Sequence, residues 1–157
     1  MYELKTEYLF DLHLDTAPLS ETIALGVSGS GNRFIFPITG GWFKGPKLNG
    51  KVRPFGADWA FIRPDNLFIL DVRILLETDD GAFIDMDYGG VATFTDEQIN
   101  GLGQGIFPDE VQCLTTPRFE TGHPNYLWLN KIKAVASGKA FFKGNDTTVE
   151  YSVYALR

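Results

Sequence analysis

Residues 55–91 read FGADWAFIRPDNLFILDVRILLETDDGAFIDMDYGGV. Three runs rich in aliphatic and aromatic residues, Ala57–Arg63, Leu67–Thr78 and Ala82–Tyr88, are parted by Pro64-Asp65-Asn66 and Asp79-Asp80-Gly81. Those separators are tight-turn chemistry, so the stretch predicts a three-strand antiparallel meander. Side chains alternate across a strand. Phe68, Leu70, Val72, Ile74 and Leu76 therefore share one wholly apolar face, which has to meet a core. The opposite face, Ile69, Asp71, Arg73, Leu75 and Glu77, is mixed. Charges at Asp58, Asp71, Arg73, Asp85 and Asp87 lie inside strand runs. Such charges either solvate an outer face or line a polar cavity. The pattern favours a cavity.

The same cadence continues in both directions. Leu4–Leu14 places Tyr8, Phe10, Leu12 and Leu14 on one parity, and Pro18 ends the run. GVSGSGN, Gly26–Asn32, lacks the Lys-Ser/Thr ending of a phosphate loop and reads as a mobile loop, a candidate rim or lid. Arg33–Thr39 predicts a strand closed by Gly40-Gly41, a glycine pair that marks a bulge or a close backbone approach. Trp42–Pro46 and Leu48–Val52 predict short strand pieces around turns. Thr95-Asp96-Glu97-Gln98 is a capping box, and Gly101 and Gly103 stop the helix within about two turns. Later strands are predicted at Glu110–Thr115, Arg118–Thr121, Tyr126–Ala136 and Val149–Leu156, with turns at Gly122–Asn125 and Lys143–Asp146. Many short strands with one brief helix favour an antiparallel barrel or sandwich. At 157 residues the chain, 1–157, is expected to be a single domain.

Composition narrows the partners. The net charge of −6 argues against nucleic acid and anionic membrane surfaces. A single cysteine, Cys113, forbids an intrachain disulfide. His13 and His123 are far apart and build neither a catalytic triad nor, with one cysteine, a typical transition-metal site, so no metal is expected. Asp79-Asp80-Gly81 is common turn composition, and with Asp85 and Asp87 it lacks the calcium-loop spacing. The first residues, MYELKTEYLFDLHLD, are too charged for a signal peptide, and no apolar run reaches membrane-spanning length. A cytoplasmic location is the expectation. Thirteen phenylalanines suit an aromatic-lined pocket.

Two constellations could carry chemistry. Asp58 shares parity with Ala60 and Ile62. A carboxylate on such a face ionises at a cost, which makes it a general-base candidate. The competing reading is an aspartate that caps a turn. Arg118 and Glu120 share a parity about 7 Å apart at their origins, close enough to pair in an empty site. Tyr126, Trp128 and Asn130 share another parity. If the two strands pair, these five side chains could converge as pocket groups do.

With these residues in view, the chain resembles the DUF3237 (UPF0311) family. The matching motifs are RFIFPITGG (Arg33–Gly41), GADW (Gly56–Trp59), LDVR (Leu70–Arg73), TDDG (Thr78–Gly81), TPRFETG (Thr116–Gly122) and YLWLN (Tyr126–Asn130). Phe55 and Asn66 stand where glycines are expected. The resemblance implies a closed antiparallel β-barrel similar to allene oxide cyclases and dirigent proteins, calycin-like in form. Those relatives hold apolar substrates in aromatic-lined cavities and need no organic cofactor. The expected function is a cofactor-independent isomerase, cyclase or lyase acting on a small, largely apolar, aromatic or enolisable molecule. Asp58 or Glu120 would be the base and Arg73 or Arg118 would stabilise oxyanion charge. Trp59, Asp71, Tyr88, Tyr126, Trp128 and Asn130 would contact substrate. The rivals are a lipocalin-like binding protein without turnover and a structural homo-oligomer that assembles through its charged outer face.

Overall fold

The computed structural model describes all 157 residues. Ten strands form one sheet: β1 Thr6–Thr16, β2 Ile23–Ser28, β3 Gly31–Lys44, β4 Asn49–Asp58, β5 Phe61–Ile62, β6 Phe68–Thr78, β7 Phe83–Ala92, β8 Glu110–Glu120, β9 Lys133–Lys143 and β10 Asp146–Leu156. The helix α1 spans Asp96–Leu102, and 3-10 turns lie at Leu19–Glu21 and Pro124–Lys131. Eight strands run β1-β10-β9-β8-β7-β6-β4-β3, and β3 pairs back onto β1 to close an antiparallel barrel. β2 extends beyond the circuit as a hairpin on β3, and β5 bridges β3 and β6. The expected barrel with one short helix is what the chain forms, and closure removes the exposed edges of an open sheet.

Bulges let the sheet close. β1 advances one residue against β10 between Tyr8 and Phe10, so Leu9 and Phe10 are both buried. The β1–β3 register shifts between Asp15 and Thr16, beside Gly40-Gly41. Both glycines have positive φ, 158° and 140°. At Gly41 a Cβ would sit 2.0 Å from the His13 carbonyl oxygen, so glycine is needed for β3 to lie against β1 where the barrel closes. The β4–β6 ladder slips by two residues between Val52 and Gly56, which bends β4 yet leaves Val52 and Asp58 on the same, inward parity.

One end of the barrel is filled. Phe10, Phe43, Ile74, Leu76, Ile84 and Met86 are essentially inaccessible there. The Pro124–Lys131 turn plugs that end with Tyr126 and Leu129. This corrects the predicted strand over Tyr126–Ala136: the strand is Lys133–Lys143, preceded by a 3-10 turn. Pro124 starts that turn, and His123 caps it by accepting the Asn125 N–H. The predicted loop 26–32 is instead the end of the β2–β3 hairpin, with the turn confined to Gly29-Ser30. Pro117 does not split β8, because β8 pairs with β9 only as far as Thr115 and thereafter with β7 alone.

Candidate functional site

The other half of the barrel is hollow. Its cavity measures about 60 Å³ of space open to the centres of water-sized spheres. Fifteen of its eighteen lining residues are hydrophobic. Small inward residues make the room: Ala92, Ala140 and Cys113 line it where larger groups would fill it. Gly138 contributes by leaving space for its cross-strand partner Tyr151, since a Cβ there would meet the Tyr151 ring at 2.6 Å.

Asp58 is the only charged residue lining this cavity. It ends β4 opposite Val72, which in turn faces Tyr88 on β7, so the carboxyl and the phenol stand in one row across the wall. From β10, Tyr151 meets Tyr88 edge to face with ring centroids 5.5 Å apart. The polar inventory is completed by the Cys113 thiol and two threonines. Thr16 donates to the Thr147 carbonyl at 3.0 Å, whereas the buried Thr147 Oγ1 has no protein partner.

The carboxyl is fixed from the backbone. Its Oδ1 accepts the Asp71 N–H at 3.0 Å, and the Trp59 N–H donates to the Asp71 carbonyl at 2.8 Å. Arg33 reaches from β3 to the Trp59 carbonyl at 2.6 Å while lying over the Phe61 ring. As a whole residue Asp58 is only half-buried, but its carboxyl is the part turned into the barrel. Desolvation there pushes its pKa up to about 7, with the Asp71 charge adding to the rise and the Asp71 N–H and Arg33 opposing it. Burial holds Tyr88 and Tyr151 well above the ordinary phenol range, so both remain hydrogen-bond donors. The Cys113 thiol is pushed up to about 11 by burial and stays protonated.

Among the sequence candidates, only Asp58 and Tyr88 line the cavity. Asp71 is exposed on the outer face and touches the site through its backbone N–H. Arg73 and Arg118 both have side chains 72% exposed on the outer wall. Glu120 is exposed beside them. The expected Arg118–Glu120 pair does not form. Arg118 donates instead to Asp87 of β7 at 2.8 and 3.0 Å, because Asp87 is its direct cross-strand partner and Glu120 lies two residues away along β8. Arg73 stands between Asp85 and Asp87 at 3.7 and 3.8 Å. These charges solvate the outer face, as inward-outward alternation requires once Phe119 and Val72 point to the core.

The aromatic candidates near Asn130 also belong elsewhere. Trp59 is 47% exposed. Tyr126 donates to Asp80 at 2.8 Å and pins the plug to the Asp79–Gly81 turn. Trp128 lies under the Lys47 ammonium at 5.4 Å. Asn130 accepts the Thr121 N–H and donates to the Thr121 carbonyl, which ties the plug to β8. Tyr151, Thr147 and Arg33 were not singled out from sequence. Tyr151 was findable in principle, since it shares inward parity with Val153 and Ala155. No group of three or more His, Cys, Asp or Glu side chains is arranged to hold a metal ion, the Asp79–Asp87 carboxylates included. No helix is long and apolar enough to cross a membrane.

Comparison with known proteins agrees with this fold. Residues 4–156 match the model of a family described as a protein of unknown function, DUF3237. A UPF0311 protein of Rhodopseudomonas palustris is 42% identical over 128 residues, covering 80% of this chain and 82% of the relative. The crystal structure of a conserved protein of unknown function from the same organism superposes with a TM-score of 0.85 at 35% identity, covering each chain completely. An enzyme from Penicillium herquei shares the fold at 20% identity, with a TM-score of 0.65 over 100% of this chain and 97% of its own.

Proposed function

The chain belongs to the DUF3237 family, and we propose that its barrel transfers protons without a cofactor, as an isomerase, cyclase or lyase acting on a small, largely apolar, enolisable molecule. The observation that carries this reading is one desolvated carboxyl, Asp58, facing two phenol donors in an otherwise apolar hollow. A base poised near neutrality balances ionisation against basicity. Asp58 in its carboxylate form would take a proton from the carbon beside a carbonyl. The C–H electron pair would pass into the enolate. Tyr88 and Tyr151 would donate hydrogen bonds to the enolate oxygen. The Asp58 acid would then return the proton: to the far carbon of a conjugated enolate in an isomerase, to the atom left negative once the enolate carbon has closed a ring in a cyclase, or to the group expelled as the carbonyl re-forms in a lyase. Arg33 and Asp71 position the carboxyl and set its pKa without touching substrate.

That a neighbour of the same fold is called an enzyme is compatible with this, although at 20% identity it speaks for the fold alone. The mostly apolar lining also suits a lipocalin-like protein that binds without turnover. Exchange in deuterated water separates the two. A neutral methyl ketone such as 2-hexanone should lose its α-hydrogens to solvent faster than the buffer rate. The rate should climb through about pH 7, as Asp58 ionises, and level off above about pH 8. Saturable binding with no exchange between pH 5 and 9 would establish the binding protein instead.

The outer charges supply a control. Arg118→Met and Glu120→Gln should fold normally and keep the exchange rate within about twofold, since exposed ion pairs contribute little to stability and neither group reaches the cavity. A hundredfold loss in either folded variant would return the outer wall to the site.

A further inference from the structure

Above the cavity lies a second hollow of about 230 Å³ in the same measure, nearly four times the space below it. Phe36, Phe68, Phe94 and Phe142 line both, so they form a collar between the two compartments. Phe68 and Phe94 pack tilted with ring centroids 4.9 Å apart, and Phe142 packs on Phe107 in the same way at 5.2 Å. The outer hollow is lined further by Leu19, Ala24 and Phe34, by Leu102 at the end of α1 and by Phe107, and it opens to solvent beside the exposed Ala24 and Gly105. Ten of its twelve lining residues are hydrophobic and none is charged.

We infer that the natural substrate is bipartite and uncharged: a compact carbonyl head below the phenylalanine collar, and an apolar tail filling the hollow above it. This rests on the proton-transfer reading for the identity of the head. The inner space decides the head's size. A water needs roughly 10–15 Å³ in this measure, so the inner compartment takes only a few heavy atoms beside Asp58, Tyr88 and Tyr151. The rest of any larger substrate has to pass the collar. The outer lining decides the charge. A terminal carboxylate or ammonium seated against these walls would give up part of its hydration and find no ion to pair with.

The test is a series of methyl ketones, 2-butanone, 2-hexanone, 2-octanone and 2-decanone, titrated calorimetrically against the whole protein, with 9-oxodecanoate as the charged counterpart of the longest. The dissociation constant should fall about three- to fourfold per added methylene until the outer hollow is full, from the burial of each group. 9-Oxodecanoate should bind at least tenfold more weakly than 2-decanone. Leu102→Trp, which intrudes on the outer hollow alone, should end the gain at a shorter chain. Dissociation constants independent of chain length, or a carboxylate bound as tightly as its neutral partner, overturn the inference. Deuterium exchange of the same ketones keeps the two readings apart. Exchange without any chain-length gain refutes the tail and spares the proton transfer. Chain-length gain with no exchange at saturation refutes the proton transfer and leaves the uncharged tail standing.

Discussion

Replacing Asp58 by asparagine is expected to reduce ketone exchange at least a hundredfold while raising the melting temperature at pH 8. The first half follows from removing the only ionisable base in the cavity, a contribution of typically 10²–10⁴ in rate. The second follows from linkage. The folded chain holds the Asp58 proton up to about pH 7, whereas the ordinary value for the unfolded chain is 3.8. Between those values the native state binds the extra proton. Stability contributed by this group is therefore lost as pH rises from about 4 through 7. The loss is complete above about pH 8 and on the order of a few kcal/mol. Asparagine carries no charge to desolvate and keeps an oxygen for the Asp71 N–H. For a domain of this size each kcal/mol moves the midpoint by roughly 2–4 °C. Thermal unfolding should thus show the variant about 5–10 °C more stable than wild type at pH 8, with the gap shrinking as the pH falls and nearly gone at pH 4. The competing reading, an aspartate kept for its cap, makes the opposite demand. A variant less stable at both pH values would assign Asp58 to architecture and vacate the base.

The contrast between Asp58 and Glu120 shows what a single chain discloses. In Phe68–Thr78 the alternation is unbroken, so the apolar row could be read directly and is buried as expected, whereas the mixed row of Asp71 and Arg73, read as cavity lining, faces outward. The Thr95 capping box and the Asp79–Gly81 turn are equally local, and both form. Even the departure at Asn66 has a local cause. Its φ is 63°, a conformation in which glycine is at ease and asparagine is tolerated. Asp58 could be picked out because its parity companions are apolar while it is not. Glu120 and Arg118 sit on an equally alternating strand, but parity says only that they share a face, not which face points inward. That is fixed by Phe119 and Pro117, whose burial on β8 sends their neighbours out. The convergence expected of Tyr126, Trp128 and Asn130 failed for a different reason. A histidine-proline start turned an apparent strand into a 3-10 plug, and a helical turn does not preserve two-residue parity. The strand bulges at Tyr8–Phe10 and Val52–Gly56 were likewise invisible locally, because they answer to the closure of the whole barrel. Tyr151 escaped notice because its importance lies in what faces it, Gly138 and Tyr88, on two other strands.

Tyr88 and Tyr151 carry the second large expectation. Both rings are buried, at 3% and 4% exposure, so Tyr88→Phe and Tyr151→Phe keep the packing and remove one hydroxyl each. Burial keeps both phenols protonated across the working pH range, so neither competes with Asp58 as the base. Their part in the proposed reaction is to donate to an oxygen that gains charge only when the proton leaves carbon. Loss of such a donor acts on the transition state more than on the bound ketone. The variant that loses the donor nearest the enolate oxygen should therefore show exchange slowed about 10²–10³-fold, with a KM changed by less than about threefold. Its melting temperature should stay within a few degrees of wild type. The pH profile adds a second readout. The rising limb near pH 7 belongs to Asp58 and should survive in both phenylalanine variants at reduced height, while Asp58→Asn abolishes it. A ketone that binds and exchanges at the wild-type rate in both phenylalanine variants would remove the oxyanion role from these tyrosines. The enolate charge would then have to be met by another group lining the cavity, where Thr147 Oγ1 is the buried hydroxyl still without a protein partner.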